Sequence, residues 1–132
     1  MSAQQALSDP VQRIEAIYET EVLARRHRRV KLAGRRHPAH LMQTFLGYEV
    51  KLGKKRITCP DLVTARYLAL FGEIGIPAIA LPYDPTVTSA LLPALESAFE
   101  DLRACAKESG PRNSPFRRLK LRLLRLDEKL ED

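Results

Sequence analysis

The chain contains no tryptophan, two cysteines, four tyrosines and four phenylalanines. Two cysteines, Cys59 and Cys105, permit one bridge at most, which excludes a disulfide-stapled scaffold. Six glycines and nine prolines are too few for a low-complexity chain. A membrane-spanning run is missing as well. The apolar stretch Ile74–Leu81 is broken by Gly75 and Pro77 and falls far short of the ~20 residues a bilayer requires. The N-terminus (Ser2, Gln4, Gln5) has no apolar signal core. These absences lead us to expect a protein of the reducing cytoplasm.

What remains is an ordinary globular composition: 132 residues, 45% hydrophobic and 29% charged. That length suits one domain with its own core. The charge is less ordinary. Lysine and arginine total 22 against 16 acids, a net +6. From Arg25 to Arg66 there are twelve basic residues and two acids, Glu49 and Asp61. From Glu73 to Glu108 the balance reverses, and Ser109–Leu126 is again basic, without an acid. Such polarisation points to a surface facing acidic partners.

Periodicity predicts an α+β fold: N-terminal helix, β-hairpin, helix, buried third strand, then two C-terminal helices. Residues 1–8 read as a tail, 9–110 as a single α+β domain, and 111–132 as a linker and a basic amphipathic helix. Asp9-Pro10 with Gln12 is a helix start. Val11, Ile14, Tyr18 and Val22 then repeat at helical spacing, which predicts a helix from Pro10 to about Val30. KLAGRRHP, residues 31–38, reads as a basic linker, and Leu41, Met42 and Phe45 predict a short helix over 39–46. Gly53-Lys54 suits a type II′ turn. It sets Leu52 opposite Lys55, Val50 opposite Ile57 and Tyr48 opposite Cys59, with Lys51 opposite Arg56 on the other face. Asp61 caps a helix with Val63, Tyr67, Leu70 and Ile74 on one stripe, and Gly75 ends it. Ile76–Leu81 reads as a strand buried on both faces and parallel to a neighbour, completing a ββαβ unit in a small three-stranded sheet. A further helix starts at Thr88 or Ser89, with Pro93 near its first turn. Gly110–Pro115 is a linker. Phe116–Leu130 fits a helix, with Phe116, Leu119, Leu123, Leu126 and Leu130 on one side, better than the alternating strand over Leu119–Leu123.

Chemistry of a specific kind is hard to assemble from these residues. Glu49-Val50-Lys51 matches a nuclease strand in letters, but no carboxylate lies between Glu21 and Glu49 to share a metal with it. His37, His40, Cys59 and Cys105 lack zinc spacing, and the surrounding arginines repel cations. Gly72-x-x-Gly75 is no phosphate loop. Tyr83, Asp84 and Thr86 follow the buried strand and precede a helix, where ligands often sit, although a capped turn explains them equally. There is no zinc-finger spacing, aromatic RNA-recognition box or clear helix-turn-helix. No acid, base and electrophile converge, so no enzyme and no cofactor are expected.

The remaining signal is a polyanion surface: Arg25, Arg26, Arg28, Arg29, Lys31, Arg35 and Arg36, then Lys51, Lys54, Lys55 and Arg56. Lysine and arginine make most phosphate contacts. The leading expectation is a small, basic, non-enzymatic, nucleic-acid-binding protein, RNA somewhat ahead of DNA. The alternative is a protein-interaction or regulatory subunit that docks an acidic partner through the same surface or through Phe116, Leu119, Leu123 and Leu126. That tail helix also suits homo-oligomerisation more than a membrane surface.

Overall fold

The structure, a computed structural model, describes residues 9–109 and 114–131. The tail expected over 1–8 lies outside that range, as do residues 110–113 of the linker expected over Gly110–Pro115, whose last residue opens a helix. Helix α1, Pro10–Ile17, starts where the sequence predicts: Asp9 accepts a hydrogen bond from the Val11 amide at 3.0 Å, and Pro10 occupies the first turn. It runs on as a π-helical stretch, Tyr18–Leu23, that buries Tyr18 and Val22. The helix expected to reach Val30 therefore stops at Leu23. Arg25–Arg29 offer no apolar face for a helix to bury. After a bend at Arg25, His27–Lys31 form strand β1 instead.

Strand β2, Ala39–Thr44, stands where a short helix was expected. A two-residue turn, Phe45-Leu46, joins it to β3, Gly47–Leu52, with Leu41 opposite Val50. Eight residues give a helix too little surface to bury, and β3 has an edge that needs hydrogen bonds. The hairpin from β3 to β4, Lys55–Cys59, has the predicted register at every pair. Gly53 has φ 63°, and no non-glycine residue among those described has positive φ, which fits a type II′ turn. The strands order β2-β3-β4 in one antiparallel sheet.

Helix α2, Leu62–Gly72, is capped by Asp61, whose side chain accepts from the Thr64 amide at 2.7 Å. It packs on the Val50 and Leu52 face of the sheet, so closely that Gly72 lies over the Leu52 methyls. Strand β5, Ala78–Pro82, is buried as expected, but its partner is not the hairpin. It pairs antiparallel with β1, Arg29 opposite Ala80, in a separate two-stranded ribbon. The parallel crossover of a ββαβ unit is therefore absent, and the third strand of the sheet is β2. The chain remains α+β, with a small three-stranded sheet and helices packed around it.

Helix α3, Pro85–Ser109, begins before Thr88, because Asp84 caps it by accepting from the Thr86 amide and hydroxyl at 2.9 and 2.7 Å. Pro93 thus lies inside the helix and not in its first turn. Pro93 and Ser89 are exposed, so water can satisfy the carbonyl that proline leaves without a donor. Helix α4, Pro115–Glu131, resolves the ambiguous segment as a helix packed on α1 and α3.

The core centres on Phe71, with ring centroids 4.9 Å to Tyr67, 5.5 Å to Phe99 and 5.9 Å to Tyr18. Two tyrosine hydroxyls finish the edge of β5 that β1 leaves open. Tyr18 accepts from the Ala80 amide at 3.0 Å, and Tyr67 donates to the Ala80 carbonyl at 2.7 Å. A strand buried on both faces normally needs neighbours on both edges. Here phenols replace the second neighbour. Tyr18 donates in turn to Asp127 of α4 at 3.0 Å. Burial pushes both phenols well above their ordinary range.

Candidate nucleic-acid interface

The register of the three strands decides which side chains share a face. Residues directly opposite one another point the same way. Leu41, Val50 and Ile57 therefore share the face covered by α2. The opposite face carries two rows. One is His40, Lys51 and Arg56; the other is Met42, Glu49 and Thr58. His40, Arg56, Met42 and Thr58 are exposed, and Lys51 and Glu49 on the central strand are half-buried by their neighbours. Lys54 and Lys55 stand exposed at the β3–β4 turn.

The structure divides the predicted basic set into two groups. The first is engaged within the chain. Arg25 pairs with Glu21 at 3.2 Å, Arg29 with Asp127 at 3.4 Å and Arg56 with Glu49 at 4.0 Å. The Arg26 guanidinium lies 5.2 Å over the Tyr83 ring and that of Arg36 lies 4.2 Å over Phe116. The second group, Arg28, Lys31, Arg35, Lys51, Lys54 and Lys55, makes no ion pair among the described residues. Arg28 and Lys31 belong to the β1–β5 ribbon, whereas the three lysines gather at one end of the β3–β4 hairpin. The eleven residues thus do not form one continuous patch on one element. Burial first, and then the Asp61 charge, push the Cys59 thiol above its ordinary range, and the Arg28 charge opposes that shift.

Several alternative sites read from the sequence acquire structural roles. Glu49 is the counter-ion of Arg56, the like-charged neighbour of Lys51. Asp84, held below the usual carboxylate range by the Thr86 hydroxyl and then its amide, is a helix cap. It nevertheless borders a cleft of about 400 Å³ lined by Arg25, Arg26, Pro82, Tyr83 and Val87. No group of three metal-ligating side chains gathers among the described residues. Phe116, Leu119, Leu123 and Leu126 turn inward and are covered by the chain's own core. No described helix is long and apolar enough to cross a membrane.

Two residues outside the predicted set stand out. Phe45 is 101% and Leu46 83% exposed, at the tip of the β2–β3 hairpin. The signal was present in the sequence: two bulky residues followed by Gly47, between segments that pair. Helical spacing of Leu41, Met42 and Phe45 masked it. Comparison of the chain with family models, with curated proteins and with solved structures returned no match.

Proposed function

We propose that this protein binds nucleic acid through the open face of its three-stranded sheet, with RNA ahead of DNA. One observation carries the reading: His40, Lys51 and Arg56 stand side by side across three strands on a face that no described helix covers. Like charges directly opposite one another oppose sheet formation. A row of phosphates turns that repulsion into attraction, and Lys54, exposed at the adjoining turn, extends the row, with Lys55 adding charge at the same end of the hairpin. Antiparallel sheets with one solvated face suit single strands, whose bases lie open for contact, and unpaired segments are commonest in RNA. Arg28, Lys31 and Arg35 add long-range attraction.

An acidic protein docking on the same face is the second reading. Exposed Met42 (42%), between the basic row and the hairpin tip, favours it, because methionine adapts to protein surfaces. Salt dependence separates the two. Anisotropy titrations of single-stranded RNA, single-stranded DNA and duplex DNA across a salt series should give a steep slope. In a Lys51→Gln/Lys54→Gln/Lys55→Gln variant that slope should fall by about 0.7 for each single-strand phosphate that the protein no longer neutralises. Absence of binding at low salt would end the nucleic-acid reading.

A further inference from the structure

We infer that the Phe45-Leu46 tip of the β2–β3 hairpin is a base-stacking element, and that the ligand is an unpaired nucleic-acid strand laid along the sheet. This inference rests on the nucleic-acid reading above and specifies it. The tip and the basic row are on the same hairpin, five residues apart along β2, about 17 Å at strand spacing. That separation suits a strand of a few nucleotides, within the ~4–16 that single-strand sites cover. Phosphates meet Lys51 and Arg56 on the open face and Lys54 at the turn beside it, and a base meets Phe45.

The chemistry at the tip selects this occupant. Phe45 is fully exposed, so both ring faces are available. Every base has a π-face, and aromatic side chains stack on it without regard to sequence. The charged residue nearest the tip on the three strands is Glu49, and Asp61 follows two residues beyond the end of β4, both acidic. Anionic lipid headgroups would meet those acids first, whereas an uncharged base meets only Phe45, Leu46 and the polar Gln43 and Thr44. Two side chains also fall far below the roughly 1,000 Å² that a stable protein interface buries. In a duplex the bases are already stacked and closed to the ring, so the tip prefers unpaired strands.

The chain's lack of tryptophan supplies the test. Phe45→Trp places a sole tryptophan at the tip. Its fluorescence would be titrated with oligoribonucleotide single strands, the matching oligodeoxyribonucleotides, duplex DNA and phosphatidylserine vesicles. Anisotropy would be run beside it on the wild-type protein and Phe45→Ala. Because Phe45 packs against nothing, both variants should keep the wild-type circular dichroism and Tm. Single strands should quench the tryptophan more than duplex does. Phe45→Ala should weaken single-strand binding by roughly 10- to 100-fold and leave the salt slope unchanged. Binding with neither quenching nor an effect of Phe45→Ala would overturn the stacking role and leave the basic face standing. No binding by the wild type at low salt would remove both. A blue shift with vesicles, and no response to nucleic acid, would overturn the inference in favour of a lipid surface.

Discussion

Tyr18→Phe removes one oxygen atom from the core and disturbs three elements together. The Tyr18 hydroxyl accepts from the Ala80 amide on β5 and donates to Asp127 on α4, each at 3.0 Å. Ala80 and Asp127 are 1% and 3% exposed, so water does not readily take the place of the hydroxyl. A buried group left without its partner costs about 1–3 kcal/mol. Two such groups, partly relieved by relaxation and by the Arg29 guanidinium near Asp127, place the loss at about 2–4 kcal/mol. A domain of this size loses roughly 4 °C of Tm per kcal/mol, so Tm should fall by about 8–16 °C. Thermal melts followed by circular dichroism measure the Tm shift, urea denaturation measures the free-energy loss, and an unchanged m-value would show that α4 stays docked. Tyr67→Phe, which frees only the Ala80 carbonyl, should cost less than Tyr18→Phe. A Tyr18→Phe protein within about 0.5 kcal/mol of wild type would refute the claim that phenols complete the edge of β5.

The same two phenols set a pH dependence. Their folded pKa values lie above the ordinary value of 10.0, through burial first. A raised pKa favours the protonated native state, so their contribution is complete below about pH 10 and is lost as the pH rises beyond it. Phenolate absorbance from Tyr18 and Tyr67 should therefore appear together with alkaline unfolding and not before it. Gly72→Ala should destabilise by about 1–3 kcal/mol in thermal melts, because the added carbon would sit 2.7 Å from both Leu52 methyls, under a side chain 1% exposed. Thr88→Val should be neutral or stabilising by up to about 1 kcal/mol in the same assay, since the buried Thr88 hydroxyl has no hydrogen-bond partner among the described residues.

The basic stretch illustrates how charge placement and function separate. In the sequence, Arg25–Arg36 is the densest cationic run and the natural centre of a polyanion site. In the fold, Arg25, Arg26, Arg29 and Arg36 are drawn to Glu21, Tyr83, Asp127 and Phe116. All but the Arg25–Glu21 pair join segments distant in the chain and hold β1 and its flanking loops against the loop that follows β5 and against α4. The thinner run from Lys51 to Arg56 retains the more open face. Local density of arginine therefore gives a poor map of where cations remain available. Partner residues far away in sequence decide that.

Local rules made much of the molecule legible. Asp9, Asp61 and the Gly53 turn act within four residues of themselves, so caps and hairpin register could be read directly, and the alternating strand gave Lys51 opposite Arg56. The spacing of Phe116, Leu119, Leu123 and Leu126 likewise identified a helix with one apolar side. Tertiary structure alone decided the rest, for a common reason: a strand exists only when another segment satisfies its backbone. His27–Lys31 and Ala39–Thr44 carry no strong pattern of their own, and their conformations were settled by the open edges of β5 and β3. The same long-range pairing exposed Phe45 and Leu46 at a hairpin tip, where the spacing of Leu41, Met42 and Phe45 had suggested a short helix.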